Sequence, residues 1–144
     1  MSKNSTVNPF GEIALCFSGG GYRAAAFHLG TLKMLKELDL LDSAKYLSTA
    51  SGGTILAVKY AIEKIERGGF AKDEDFSDFE HNFKEYLLKN NVIKKSLDTL
   101  YTNQSPTGKN DLSLIRCASD VYHNELFKDN HKTFDTLLNH VNKT

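Results

Sequence analysis

The pattern of apolar and polar positions divides the chain into elements before any composition is counted. Residues 12–17, EIALCF, form a short apolar run with Pro9 and Gly11 before it and glycines after it, which suits a buried strand better than a helix. From Tyr22 to Leu38 the residues Ala25, Leu29, Leu32, Leu35 and Leu38 recur at three- and four-residue intervals, the stripe of an amphipathic helix. A second strand is predicted over residues 45–50, KYLSTA. Strand, helix and strand in that order make a βαβ unit, so the two strands are expected to lie parallel. After Ser51 a helix runs through Ile55, Val58, Ile62 and Ile65 until Gly68 and Gly69 stop it. The stretch FSDFEHNFKEYLLK carries Phe76, Phe79, Phe83 and Leu87 on one helical face. Ser77, three residues before Glu80, has the spacing of a capping box and places the helix start there. Residues 92–101 read as a short helix, the stretch from Asn103 as a turn-rich loop, residues 111–127 as helical, and residues 133–140 as one or two further turns.

This layout is all helix after Ala50. Parallel sheets are normally covered on both faces and contain several strands. The sheet is therefore expected to take further strands from sequence beyond Thr144, from another chain, or from segments whose pattern does not show them.

The 144 residues amount to one ordinary domain. Eighteen basic residues balance eighteen acidic ones, so no whole-chain field draws in nucleic acid or an anionic membrane, and any partner is recognised locally. The apolar and charged fractions, 40% and 25%, belong to a globular chain and argue against disorder. Two cysteines, Cys16 and Cys117, are too few for a disulfide framework; both are expected to be small core residues in a reducing compartment. The absence of an apolar leader or an eighteen-residue apolar run gives the expectation of a cytoplasmic protein.

Two glycine-rich turns carry the chemistry. Residues 19–24, GGGYRA, satisfy G-x-G-x-x-A between a strand and a helix, the form of a dinucleotide-binding turn. That reading also asks for an acidic residue about twenty positions on, where Thr49, Ala50 and Ser51 stand instead. The same place holds STASGGT, residues 48–54, a serine among small residues at a strand-to-helix junction. It has the setting of a nucleophile elbow, G-x-S-x-G, with threonine at the leading glycine position. Ser51 is equally a reasonable helix N-cap. In a βαβ unit both turns leave the carboxyl ends of neighbouring parallel strands and face one crevice. Backbone N–H groups of Gly19, Gly20 and Gly21, with that of Gly52, can then surround an oxygen on a carbon attacked by Ser51. A serine nucleophile with an oxyanion hole implies acyl transfer, most simply ester hydrolysis.

Separated by a single helix, SGGGYRAAAFHLGTL and LSTASGGT resemble the patatin-like phospholipases. The resemblance is closest over residues 12–60 and weaker at ASDVYHNELFKDNHKTFDTLL. It implies an α/β lipid acyl hydrolase using a serine–aspartate dyad, acting on phospholipid or another lipid ester with transient contact to a membrane surface. It requires no metal or other cofactor. Ser51 would be the nucleophile, and Gly19, Gly20, Gly21 and Arg23 would belong to the oxyanion loop. In that family the base lies in a short Asp-Gly-Gly or Asp-Gly-Ala motif. No Asp-Gly pair occurs here, and Asp111, Asp120, Asp129 and Asp135 fall in helical patterns. Residues 1–11 are accordingly expected to be an extension, and residues 12–144 the N-terminal portion of a patatin-like hydrolase domain whose remainder, or a partner chain, supplies the aspartate. Alone, the piece is expected to be inactive. The alternative is a degenerate, noncatalytic module that binds lipid or a partner chain, with Thr49 as the mark of relaxation.

His28 lies two helical turns, roughly 11 Å, beyond the glycine turn, and is expected to be structural rather than the base. The remaining histidines show no metal-ligand spacing. Arg23 fits either the oxyanion loop or a structural ion pair. The run DEDFSDFE and the lysines of KNNVIKK are expected to be solvated faces, although Lys94 and Lys95 beside Val92 and Ile93 also admit contact with a membrane.

Overall fold

The strands and helices come in the expected order. The computed structural model describes residues 10–70, 72–102 and 113–127, in two compact units that divide after Tyr60. In the first unit, β1 (Ile13–Phe17) leads into α1 (Gly21–Glu37), a 3-10 turn (Leu41–Ser43) and β2 (Ala44–Thr49), after which α2 (Gly52–Glu66) begins. The strands pair in parallel, with Leu15 opposite Leu47, Cys16 opposite Ser48 and Phe17 opposite Thr49. The Ala50 N–H then donates to the Phe17 carbonyl at 2.9 Å, so the two chains stay in register to the point where each turns away. The fold class is thus the expected α/β one: a parallel strand pair, wound through a helix and followed by helices.

Side-chain periodicity explains which face is filled. In β1, Leu15 and Phe17 are buried while Ala14 and Cys16 are exposed. A strand sends successive side chains to opposite faces, so Cys16 lies on the exposed face, which corrects the expectation that both cysteines belong to the core. Cys117 is buried. α1 buries Ala24, Ala25, His28, Leu29, Leu32 and Leu35 and ends with Asp39 in the left-handed region, at φ 56°. Lys45 to Ser48 of β2 are exposed, with Tyr46 at 64%. Among the described residues the sheet has two strands.

The second unit contains the end of α2 and then α3 (Asp73–Lys89), α4 (Val92–Tyr101), α5 (Leu114–Val121) and a π-helical stretch (Tyr122–Phe127). α2 stops where the glycines predict, with Gly68 and Gly69 at φ 67° and 111° and the Gly69 N–H on the Lys64 carbonyl at 2.7 Å. A row of aromatic rings forms the core: Phe70 meets Phe76 at 5.6 Å, Phe79 meets Phe83 at 6.1 Å, and Phe83 meets Tyr86 at 6.1 Å between centroids. Phe76, Phe79 and Phe83 fall on this face as expected; Tyr86 completes it, while Leu87 is half-buried.

The start of α3 differs from the reading based on Ser77. Ser77 is an exposed residue inside the helix, which opens at Asp73 with Lys72 as its cap. Three carboxylates, Asp73, Glu74 and Asp75, occupy the first turn, where negative charge meets the positive end of the helix dipole. That interaction carries the helix start upstream, from a cap at Ser77 to one at Lys72, roughly one and a half turns. α4 has the predicted bounds, and its cap is Asn91, whose side chain accepts from the Lys94 N–H at 2.9 Å. Asn91→Ala is expected to cost about 1 kcal/mol, read from the chemical denaturation midpoint. α5 opens at Ser113, whose hydroxyl accepts from the Arg116 N–H at 3.2 Å. The predicted helix over residues 111–127 is therefore broken into an α and a π segment. Residues 111 and 112, the loop from Asn103 and the helical turns over residues 133–140 lie outside the described residues. No helix among the described residues is long and apolar enough to cross a membrane.

Candidate active site

Both glycine turns leave the same end of the β1–β2 pair, and their sequences allow them to touch. Ser51 sits between β2 and α2 at φ 46°, a conformation that costs a residue with a Cβ about 1 kcal/mol or more. The turn closes by backbone bonds: Gly53 N–H to Ala50 carbonyl at 3.0 Å and Thr54 N–H to Ser51 carbonyl at 2.8 Å. Such a tight turn lifts the serine side chain clear of the strand, and Ser51 is exposed.

The glycines that follow are needed for close approach. A Cβ on Gly52 would lie 2.2 Å from the Gly21 carbonyl oxygen and 2.7 Å from its nitrogen. On Gly53 it would lie 2.7 Å from both Cβ and carbonyl oxygen of Phe17. Helix α2 thus starts directly against the backbone of the first turn. From the other side, a Cβ on Gly19 would stand 3.3 Å from Ser51 Cβ and 4.0 Å from its Oγ. Gly20 and Gly21 take φ 143° and 60° as the chain swings into α1.

Neither α1 nor α2 has an acidic residue in its first turn. Two helix N-termini, each the positive end of a dipole, therefore meet beside one exposed serine hydroxyl, although in α2 the N–H groups of Gly53 and Thr54 are already bonded within the turn. That arrangement stabilises negative charge on an oxygen held there.

The sequence carries the same signature. The family described as patatin-like phospholipase matches residues 15–139, a span that includes both turns. The chain belongs to the patatin-like phospholipase family. Over 42 residues it is 55% identical to the cytosolic phospholipase A2 gamma of Mus musculus, covering 29% of this chain and 7% of that protein. Over 101 residues it is 32% identical to the cytosolic phospholipase A2 beta of Homo sapiens, covering 70% of this chain and 12% of that one. The chain thus spans only about a tenth of the length of these relatives. No solved structure matches it.

Within this patatin-like unit the candidate residues are distributed as follows. Gly19 stands against Ser51, Gly52 follows it directly and lies against the Gly21 backbone, and Gly20 joins Gly19 to Gly21 in the first turn. Arg23 lies exposed in the first turn of α1, and among the described residues no carboxylate is paired with it. His28 is buried, stacked on the Phe17 ring at 4.6 Å with its edge toward Phe27 at 5.5 Å. Its Nε2 is 3.3 Å from Ser18 Oγ, so it braces the residue that precedes the glycine turn, a structural position as expected. Thr49, in the leading glycine position of the elbow, shares a hydrogen bond with Thr54 across the turn, 3.0 Å between the hydroxyl oxygens.

The Ser18–His28 and Thr49–Thr54 contacts were not visible as motifs. The only sequence signals were a histidine on the buried stripe of α1 and two threonines five apart across the elbow. Asp120 is exposed on α5 in the second unit, while Asp111, Asp129 and Asp135 lie outside the described residues. Among the described residues no cluster of three or more histidine, cysteine or acidic side chains could hold a metal.

Proposed function

We propose that this chain is the N-terminal portion, residues 12–144, of a serine lipid acyl hydrolase domain, with residues 1–11 as an extension. Ser51 Oγ attacks the carbonyl carbon of a lipid ester. The new tetrahedral oxyanion is held by backbone N–H groups of Gly19, Gly20, Gly21 and Gly52, in a loop that also carries Arg23. Collapse breaks the ester bond, and the lipid alcohol leaves with the serine proton. Water then releases the fatty acid from the acyl-serine and restores the hydroxyl.

A base must receive the serine proton first, and the family resemblance makes it an aspartate of an Asp-Gly motif. No such motif occurs in this chain, so the aspartate comes from sequence continuing the domain or from a partner chain. The observation that carries this reading is the contact of Gly19 with Ser51, 3.3 Å from an ideal Cβ on the glycine to the serine Cβ. It sets the glycine turn against the serine hydroxyl. The phospholipase A2 names of both relatives support a phospholipid substrate, and the word cytosolic in those names supports a cytoplasmic setting.

The test is treatment of the full-length natural protein with a fluorophosphonate, followed by peptide mapping of the adduct. The expected result is one phosphonylated residue, Ser51. An adduct on another serine would move the nucleophile elsewhere. No adduct on a folded full-length protein would favour the noncatalytic binding module.

A further inference from the structure

The corner between α3 and α4 separates a pair of residues that look alike in the sequence. In KNNVIKK, Val92 is buried, and Lys95 Nζ donates to Asn90 Oδ1 at 2.6 Å and to Glu125 of the π-helical stretch. Val92 therefore belongs to the second unit's core, and the half-buried Lys95 ties α4 to the corner and to the π-helical stretch. Ile93 and Lys94, their immediate neighbours, point outward. Ile93 is 71% exposed, and Leu88, on the other side of the corner, is 75% exposed. These two branched aliphatic side chains, five residues apart across the corner, lie outside the core formed by the described residues of the unit.

Their electrostatic surroundings are sharply biased. From His81 to Lys95 the chain carries four lysines and one carboxylate, Glu85, whereas from Asp73 to Glu80 it carries five carboxylates and no base. Helix α3 is thus acidic at its start and basic at its end, roughly 24 Å along its axis. Lys84, Lys89 and Lys94 are all exposed, and each lies within four residues of Leu88 or Ile93 along the chain. Lys89 does pair with Glu85, but an exposed pair of this kind contributes little and can exchange its partner. The next carboxylates on these two helices lie one turn away on either side, Glu80 before Lys84 and Asp98 after Lys94.

Aliphatic side chains flanked by lysines match the interfacial layer of an anionic bilayer. The apolar groups enter the acyl boundary while the ammonium groups stay at the phosphates. We propose that the α3–α4 corner is a docking surface for anionic phospholipid membranes, with Leu88 and Ile93 as the inserted residues and Lys84, Lys89 and Lys94 as the phosphate contacts. The proposal rests on the lipid-hydrolase reading for its biological setting, but the binding event needs no catalysis. It can therefore be measured in the full-length Ser51→Ala protein.

The experiment is co-sedimentation of that protein with phosphatidylcholine vesicles made with and without phosphatidylserine. Stronger partitioning to the anionic vesicles is expected, weakening as salt is raised. Leu88→Ser with Ile93→Ser, and separately Lys89→Glu with Lys94→Glu, are expected to lower that partitioning about tenfold or more, given the contribution of each basic residue near an anionic surface. Circular dichroism and thermal melting check that both variants stay folded, as exposed substitutions should. Equal partitioning to neutral and anionic vesicles would overturn the proposal. Undiminished binding by both folded variants would do the same. Either result leaves the fluorophosphonate test of Ser51 untouched.

Discussion

Alanine at position 51 is expected to lower ester turnover by the full-length protein roughly four to six decades, the usual consequence of removing one member of a catalytic unit that acts together. The loss arises because no covalent acyl intermediate can form once Oγ is gone, while the N–H groups around the site remain. Alanine also inherits the left-handed backbone of Ser51, φ 46°, so a second variant is needed to separate chemistry from strain. Ser51→Gly removes the same oxygen and relaxes the backbone, because glycine adopts this conformation without penalty. Both variants are expected to be equally inactive in kcat/KM on a lipid ester and to fold. A glycine variant retaining more than about one hundredth of wild-type turnover, far above the residual expected of a broken catalytic unit, would show that Oγ is not the nucleophile. The 144-residue chain assayed alone should also show negligible turnover, since it lacks an Asp-Gly motif.

Much of the first unit could be read from periodicity. The apolar run of β1, the stripe of α1 and the small-residue junction after β2 each state their structure locally, and topology alone brings the two turns together. What could not be read depended on which atoms meet across space. Cys16 and Phe17 belong to the same apolar run, yet strand alternation places one outside and one inside, and the sequence does not say which face is covered. At α3 two valid start signals competed. The capping spacing of Ser77 lost to three carboxylates upstream, since a helix extends wherever its dipole and its aromatic face both continue to be satisfied. Thr49 suggested a relaxed elbow when compared with glycine, but it is a hydrogen-bonded residue that ties β2 to the first turn of α2. The aspartate proposed as the base was illegible for a simpler reason: no Asp-Gly pair occurs in the chain.

The glycines of the elbow allow the sharpest structural test of the site. Gly52→Ala would place a methyl group 2.2 Å from the carbonyl oxygen of Gly21, 2.7 Å from its nitrogen and 2.8 Å from its carbonyl carbon. All three are backbone atoms, so no side-chain rotation relieves the clash and one turn must move. A cost of about 3 kcal/mol or more is expected, at the upper end for overpacking a close contact. Gly21→Ala supplies the comparison. It has φ 60° but no atom within 4 Å of the added Cβ, so only the left-handed strain applies, about 1–2 kcal/mol. The expected order in thermal melting is therefore wild type, then Gly21→Ala, then Gly52→Ala. The fluorophosphonate reaction rate should fall most steeply for Gly52→Ala even at temperatures where that variant is folded, because relieving the clash separates the glycine turn from Ser51. If Gly52→Ala melted no lower than Gly21→Ala and labelled at the wild-type rate, the two turns would not be in contact in solution. The proposed oxyanion hole of Gly19, Gly20, Gly21 and Gly52 would then fall.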